Sequence, residues 1–308
     1  MPLSRRTFLR RGALAATGSL FLPGLARADD ERHLVILHTN DTHSRIDPFP
    51  MDGGRNQGLG GAARRATLVQ QIRAHHPNVL LLDSGDIFQG TPYFNLFKGE
   101  VEFRTMTAMG YDVATLGNHD FDNGVEGLAA MLPHAGFDIV SANYDVSASP
   151  LQARVQPWTI REVGGVRVGI FGLGIRFERL VLAELHEGVV YHDPVAVARD
   201  TVQTLQRQGC HLIVCLSHLG YRYRDDRVSD VEIARLVPGI HLILGGHTHT
   251  FMDAPDVFPH PHDPATVVHQ VGFAGIRLGR VDVFVGPDGT VRRWLAHSLP
   301  VDARWDVA

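Results

Sequence analysis

Five short apolar runs in this chain each stop at a cluster of Asp, Asn or His, and that recurrence limits the fold more than any other feature. Leu34-Val-Ile-Leu37 runs into His38-Thr-Asn-Asp41-Thr-His43, and Val79-Leu-Leu-Leu82 into Asp83-Ser-Gly-Asp86. Val113-Ala-Thr-Leu116 runs into Gly117-Asn-His-Asp-Phe-Asp122, Leu212-Ile-Val-Cys-Leu216 into Ser217-His-Leu-Gly220, and Ile240-His-Leu-Ile-Leu244 into Gly245-Gly-His-Thr-His249. Runs of this length read as buried strands. Polar groups gathered at their ends would each need a partner, so chemistry accounts for them better than packing does. Open α/β sheets place their sites there, beyond the carboxyl ends of the strands.

The stretches between the runs alternate in period. Gly61 to His75 reads as a helix with the stripe Ala62, Ala66, Val69 and Ile72, and Val101 to Met109 as a second. Trp158–Glu162 and Val166–Phe171 flank Gly164-Gly165 as a hairpin. Asp193-Pro194 caps a helix striped by Val195, Ala198, Val202 and Leu205, and Ser229 with Glu232 forms a capping box for another that Pro238-Gly239 closes. Ile276–Val285 and Val291–His297 form a last hairpin around Gly286-Pro-Asp-Gly289. Helix-linked strands mixed with hairpins predict an α/β layered domain with mixed sheets.

The first 28 residues are set aside as an export signal. Ser4-Arg5-Arg6-Thr7-Phe8-Leu9 is a twin-arginine signature, Gly12 to Leu25 is small and apolar, and Ala26-Arg27-Ala28 offers a cleavage site. A membrane anchor is the competing reading. The apolar stretch is shorter than the roughly 20 residues of a span, and Gly18 and Pro23 interrupt it. The expected location is therefore the periplasm, after passage through the twin-arginine translocase, with residues 29–308 as one catalytic domain.

The chain has 29 Lys and Arg against 33 Asp and Glu, and the signal removes five arginines and no acid. That balance argues against binding to nucleic-acid polymers, which rests on basic surface. Cys210 and Cys215 are five apart in one predicted strand, on opposite faces, and so are not expected to bridge.

The clusters hold donors suited to divalent cations. Asp41 and His43 are two apart, so extended backbone would turn both to one side. Asp86 follows a glycine and has two oxygens, enough to bridge two cations. Asn118 adds a carbonyl, and His218, His247 and His249 add imidazoles. His75, His76, His134, His186, His192 and His211 fall at no repeated spacing and are read as ordinary, as are His260 and His262 in a proline-rich loop.

In this order, LHTNDTH at Leu37–His43, GD with FQGTPYFNLFKGE at Gly85–Glu100, GYDVATLGNHDFDNG at Gly110–Gly124, SHLG at Ser217–Gly220 and GGHTHT at Gly245–Thr250 resemble the calcineurin-like metallophosphoesterase superfamily. The residues around the ligand positions narrow the likeness to the amino-terminal catalytic domain of the bacterial 5′-nucleotidase and UDP-sugar hydrolase family. The resemblance runs from about Leu34 to Val285 and implies a layered α/β/β/α sandwich of mixed sheets flanked by helices. It implies an exported hydrolase of phosphate esters, expected to be 5′-nucleotides or related nucleotide phosphates, in which a hydroxide bridging two cations attacks phosphorus in line. It assigns Asp41, His43, Asp86 and His249 to one metal and Asp86, Asn118, His218 and His247 to the other. His119 and Asp122 correspond to a catalytic dyad, with Asn118 and His119 also touching substrate. Where the family more often has Glu this chain has Asp120, which is not a ligand position, and His249 stands where some relatives have Gln.

The full-length nucleotidases continue into a second domain that reads the base; the expectation here is that this domain is absent or supplied by a separate nucleotide-binding subunit. Arg222 and Arg224 beside Tyr221 are candidate substitutes for its substrate clamp. Manganese is favoured as the metal, since a folded-protein export route fills the site in the cytoplasm; zinc, iron, magnesium and cobalt also suit the donors. Two rival readings are a thiosulfohydrolase-like or broad phosphodiesterase activity and a metal-loaded binding module without turnover. The second would have no use for His119 and Asp122.

Overall fold

The computed structural model describes residues 31–306, so the predicted signal segment lies outside the described residues. The first half of the chain contains β1 (Arg32–Thr39), α1 (Ala62–His75), β2 (Val79–Asp83), α2 (Pro92–Phe97), α3 (Glu100–Met109) and β3 (Val113–Thr115). There follow α4 (Gly124–Met131), β4 (Asp138–Val140), β5 (Tyr144–Asp145) and β6 (Val155–Gln156). Next are β7 (Trp158–Val163), β8 (Val166–Gly174), β9 (Val190–Tyr191), α5 (Pro194–Arg207), β10 (Leu212–His218), α6 (Asp230–Leu236) and β11 (Leu242–Gly245). The last strands are β12 (Asp256–Phe258), β13 (Thr266–His269), β14 (Arg277–Val285) and β15 (Val291–Pro300).

Two mixed sheets carry the fold. One runs β15-β14-β1-β2-β3-β4-β6 and the other β12-β13-β11-β10-β8-β7. Strands β1-β2-β3-β4-β6 and β8-β10-β11-β13 run parallel, while β14 is antiparallel to β1 and to its hairpin partner β15, and β7 and β12 are antiparallel edges.

Strand alternation decides the layers. Leu34, Ile36, Leu80 and Leu82 of the first sheet meet Val168, Ile170, Val214, Leu216 and Leu244 of the second in a central core. Their neighbours Val35, Leu37 and Leu81 point outward onto α1 and α3, through Val69, Ile72, Phe103 and Met106. Ile213, Cys215 and Ile243 do the same on the far side, onto Ala198, Val202, Leu205 and Ile233 of α5 and α6. Each such side chain contributes about 1.5–3 kcal/mol by leaving water. The result is helix, sheet, sheet, helix. Both cysteines are free, as expected.

Local expectations fared unevenly. On α1 the buried face includes Arg65 as well as Ala62, Val69 and Ile72, while Ala66 is only partly buried. Burial raises Tyr111 and Asp83, and the nearby Arg65 guanidinium acts in the opposite direction on both, while its own Nε and Nη1 are buried without a hydrogen-bond partner among the described residues. Ser229 bonds Glu232 side chain to side chain rather than capping the backbone of α6. Asp193 does cap α5, accepting the Val195 N–H at 3.0 Å ahead of Pro194. Asp193→Ala should cost about 1 kcal/mol, seen as a lower urea midpoint with an unchanged slope.

The register brings the strand ends level. Thr39 lies opposite Asp83 on β1 and β2, and Ser217 opposite Gly245 on β10 and β11. Ser84 Oγ donates to the Leu244 carbonyl at 2.7 Å, tying the loop after β2 to the end of β11.

Candidate metal centre

All seven residues read as ligands from the sequence come together at this shared edge. Asp41 and His43 follow β1, Asp86 follows β2, Asn118 follows β3, His218 closes β10, and His247 and His249 follow β11. The reason for the convergence differs from the expected one. Asp41 and His43 are not in extended backbone: their φ angles are 50° and 46°, and those of Asp86, His247 and His249 are 54°, 68° and 51°. Left-handed turns therefore aim five of the seven side chains inward. Asp and His accept that conformation more readily than most residues, and such strain gathers at functional sites.

Two groups of donors form, Asp41 with His43 and His249, and Asp86 with His218 and His247; within each, the ligand atoms lie within 4.8 Å of one another. His249 Nε2 is 3.0 Å from His43 Nε2 and 3.3 Å from Asp41 Oδ1. Asn118 Oδ1 is 2.9 Å from His247 Nδ1. The two groups meet at Asp86. Its Oδ2 faces His218 Nε2 at 3.1 Å and His43 Nε2 at 3.9 Å, while its Oδ1 accepts the His119 N–H at 2.8 Å.

The donors fit divalent cations. His218 Nδ1 donates to the Ser84 carbonyl at 2.7 Å, which turns the Nε2 lone pair into the centre. That Nε2 is buried without a hydrogen-bond partner among the described residues and faces Asp86 Oδ2 at 3.1 Å. An imidazole lone pair and a carboxylate oxygen facing each other in a dry site need a positive charge between them.

Without a cation, a proton takes that place. Burial opposes a charge on His218, but Asp86 and Asp41 outweigh it and push the imidazole up to about 10. Burial likewise works against the Asp86 anion, yet His218 and His43 hold it well below the usual carboxylate range. Burial, aided by His218, lowers His247 to about 4, and burial lowers His43 also, so both are neutral donors at pH 7.

Sequence reading missed the part played by Asp120. Fully buried, it accepts four backbone N–H groups: Ile87 at 2.9 Å and Phe88 at 3.1 Å on Oδ1, Gly117 at 2.8 Å and Asp86 at 3.1 Å on Oδ2. It fastens the Asp86 loop to the Asn118 loop. No spacing rule could have found this, since every partner is main chain.

Beside the two groups, His119 Nδ1 donates to Asp122 Oδ2 at 2.8 Å. That bond raises the His119 imidazole above its ordinary value, against the effect of burial and with help from Asp86. Both side chains are partly open to solvent.

A cavity of 430 Å³ opens onto the centre, lined by Asp86, Asn118, His119, His247 and His249 together with Arg45, Phe49, Leu180 and Phe273. Arg222 and Arg224, the predicted substrate arginines, are not in that lining. Arg222 lies over the Tyr221 ring at 5.3 Å and 4.0 Å from Asp256. Arg45 is the arginine that faces the cavity.

Comparison with known proteins agrees with this geometry. The calcineurin-like phosphoesterase family model matches residues 34–251. Snake venom 5′-nucleotidase of Gloydius brevicauda is 40% identical over 239 residues, covering 75% of this chain and 40% of its own. A solved 5′-nucleotidase precursor from Thermus thermophilus superposes with a TM-score of 0.80 at 33% identity, over 89% of this chain and 55% of its own. A solved sulfate thiohydrolase, also from Thermus thermophilus, at 20% identity and a TM-score of 0.74 over 92% of this chain and 58% of its own, shares the fold. The chain thus spans about half the length or less of these relatives. It belongs to the calcineurin-like phosphoesterase family.

Proposed function

We propose that this chain hydrolyses phosphate monoesters of the 5′-nucleotide class, using two divalent cations. One observation carries the reading: two donor groups, Asp41 with His43 and His249 and Asp86 with His218 and His247, meet where Asp86 Oδ2 faces His43 at 3.9 Å and the buried His218 Nε2 at 3.1 Å, with the His119–Asp122 pair at their edge. Asp41, His43, Asp86 and His249 would hold one cation, and Asp86, Asn118, His218 and His247 the other. Such a pair supplies Lewis-acid polarisation of the phosphoryl oxygens and acidifies water toward neutral pH.

The chain's own residues do the rest. The Asn118 amide and the His119 imidazole hold the phosphoryl group, and His119 carries the proton that the leaving oxygen takes up. Asp122 keeps the ring turned and keeps it protonated. The nucleotide class is supported by the 5′-nucleotidase relatives; the likeness to the thiohydrolase is one of fold, which gives sulfur chemistry no separate support.

The reading is tested by phosphate release from AMP, UMP and an aryl phosphate by the manganese-loaded chain. Chelator-sensitive release is expected, and absence of release from all three would refute it. Manganese is the proposed metal, and native material holding only zinc would overturn that choice. Export by the twin-arginine route to the periplasm is proposed from the residues before Asp29. A separate nucleotide-binding subunit is proposed as a partner, to be sought by co-purification. Among the described residues no helix is long and apolar enough to cross a membrane.

Asp122→Asn separates chemistry from metal binding. Turnover should fall about 10–100-fold with both cations retained. Because the Asp122 bond is what raises His119, the loss of activity on the alkaline side should begin at lower pH in the variant. A variant that has lost metal along with activity would contradict this role.

A further inference from the structure

One wall of the metal cavity is aromatic and cationic and supplies no ligand. Phe273 stacks on His249, the ring centroids 5.1 Å apart and the planes 12° from parallel, and meets Phe49 edge to face at 6.5 Å. The Arg45 guanidinium lies over the Phe49 ring at 4.2 Å. Phe273 also lines a neighbouring cavity of 470 Å³ with Phe251 and Arg277, where Arg277 lies over Phe251 at 5.0 Å. Planar faces backed by guanidinium groups therefore lead outward from the metal ligands.

Arg45 is the unusual member. Two carboxylates, Asp41 and Asp86, stand in the adjoining centre, and a nearby arginine would ordinarily pair with an acid. Among the described residues its guanidinium makes no ion pair or hydrogen bond, and it rests on the Phe49 face instead. A half-buried arginine resting on a ring, with its donors unused and a cavity before it, is an arrangement suited to a planar ligand. Aromatic rings stack on such faces without needing a particular hydrogen-bond pattern.

We propose that Arg45, Phe49 and Phe273 form a leaving-group subsite for a planar aromatic ring, the base of a nucleotide, on the catalytic domain itself. The orientation rests on the phosphoesterase reading: with the phosphoryl group at His119 and the metal ligands, the rest of the ester lies along this wall. Arg45 and Phe49 then set specificity and take no part in bond breaking.

The test uses the metal-loaded chain, with Arg45→Ala and Phe49→Leu as variants; the leucine keeps an apolar contact and removes the ring. Adenosine, which has no phosphate, is titrated by calorimetry, and kcat/KM is compared for AMP and ribose 5-phosphate. Adenosine should bind the parent chain, and each variant should weaken it about tenfold. The AMP preference over ribose 5-phosphate should shrink by a similar factor, with metal content unchanged. Adenosine affinity that is the same in the parent and both variants, or equal losses on the two esters, would overturn the proposal. If adenosine binds as expected but neither ester is cleaved, the subsite stands and the hydrolase reading fails. If both esters are cleaved equally and adenosine does not bind, the reverse holds.

Discussion

Asp120→Asn is expected to cost roughly 3 kcal/mol of stability and to lower metal affinity about 10–100-fold, although Asp120 is no ligand. Each of its oxygens accepts two main-chain N–H groups. An amide has one oxygen to offer, and its NH₂ would face the other two donors. Two buried N–H groups without an acceptor cost about 1–3 kcal/mol each. If the amide oxygen keeps Ile87 and Phe88, the bonds lost are those from Asp86 and Gly117, which hold the two loops bearing Asp86 and Asn118. Burial pushes the Asp120 carboxyl up to about 7, and the four donors favour its anion, so the comparison belongs at pH 8. Metal per chain after dialysis and urea unfolding of the chelated protein would measure both effects. A variant with full metal and an unchanged midpoint would show that Asp120 is held protonated and bonded otherwise.

The contrast between Asp120 and its neighbours shows what a sequence can disclose. Strand ends were legible because buried runs such as Val79–Leu82 are apolar on both faces, and a following Asp or His then stands out. The layering was legible from helix and hairpin periods. Backbone hand was not: the convergence of Asp41 with His43 was expected from an extended chain, whereas left-handed turns at φ 50° and 46° produce it. The division of His247 and His249 between two donor groups followed only from family likeness, since two imidazoles at this spacing could as well share one cation. Arg45 was passed over for Arg222 and Arg224 because nothing local to the sequence tells which arginine a remote loop turns toward a cavity. Partners far away in the chain, Phe273 for His249 or the Ser84 carbonyl for His218, are invisible until the sheets stack.

Stripped of metal, the chain should lose stability as pH rises from 7 to 10, while the loaded chain should not lose it by the same route. The His218 imidazole, pushed up to about 10 by Asp86 and Asp41 against the cost of burial, is protonated in the metal-free fold at neutral pH. Its folded value lies above its ordinary one, so its contribution is complete below about pH 6.5 and disappears as pH climbs through the folded value. The slope is at most about 1.4 kcal/mol per pH unit for one proton. Asp86 runs the opposite way: its carboxyl is held low, so its contribution is present above the ordinary carboxylate range and is lost only in acid. In the loaded chain His218 has already given up that proton, so the alkaline loss is missing and binding itself releases a proton. The gap in melting temperature between loaded and chelated protein should therefore widen from pH 7 to pH 9. Asp83, Asp120 and Asp230, whose carboxyls burial pushes up to about 7, about 7 and about 8, titrate in the same range and add an alkaline loss to both forms, so the readout is the gap between the forms and not either curve alone. Scanning calorimetry at pH 7, 8 and 9, with and without chelator, measures that gap. A constant gap would mean that His218 Nε2 carries no proton in the metal-free fold, and that the charge between it and Asp86 is supplied in some other way.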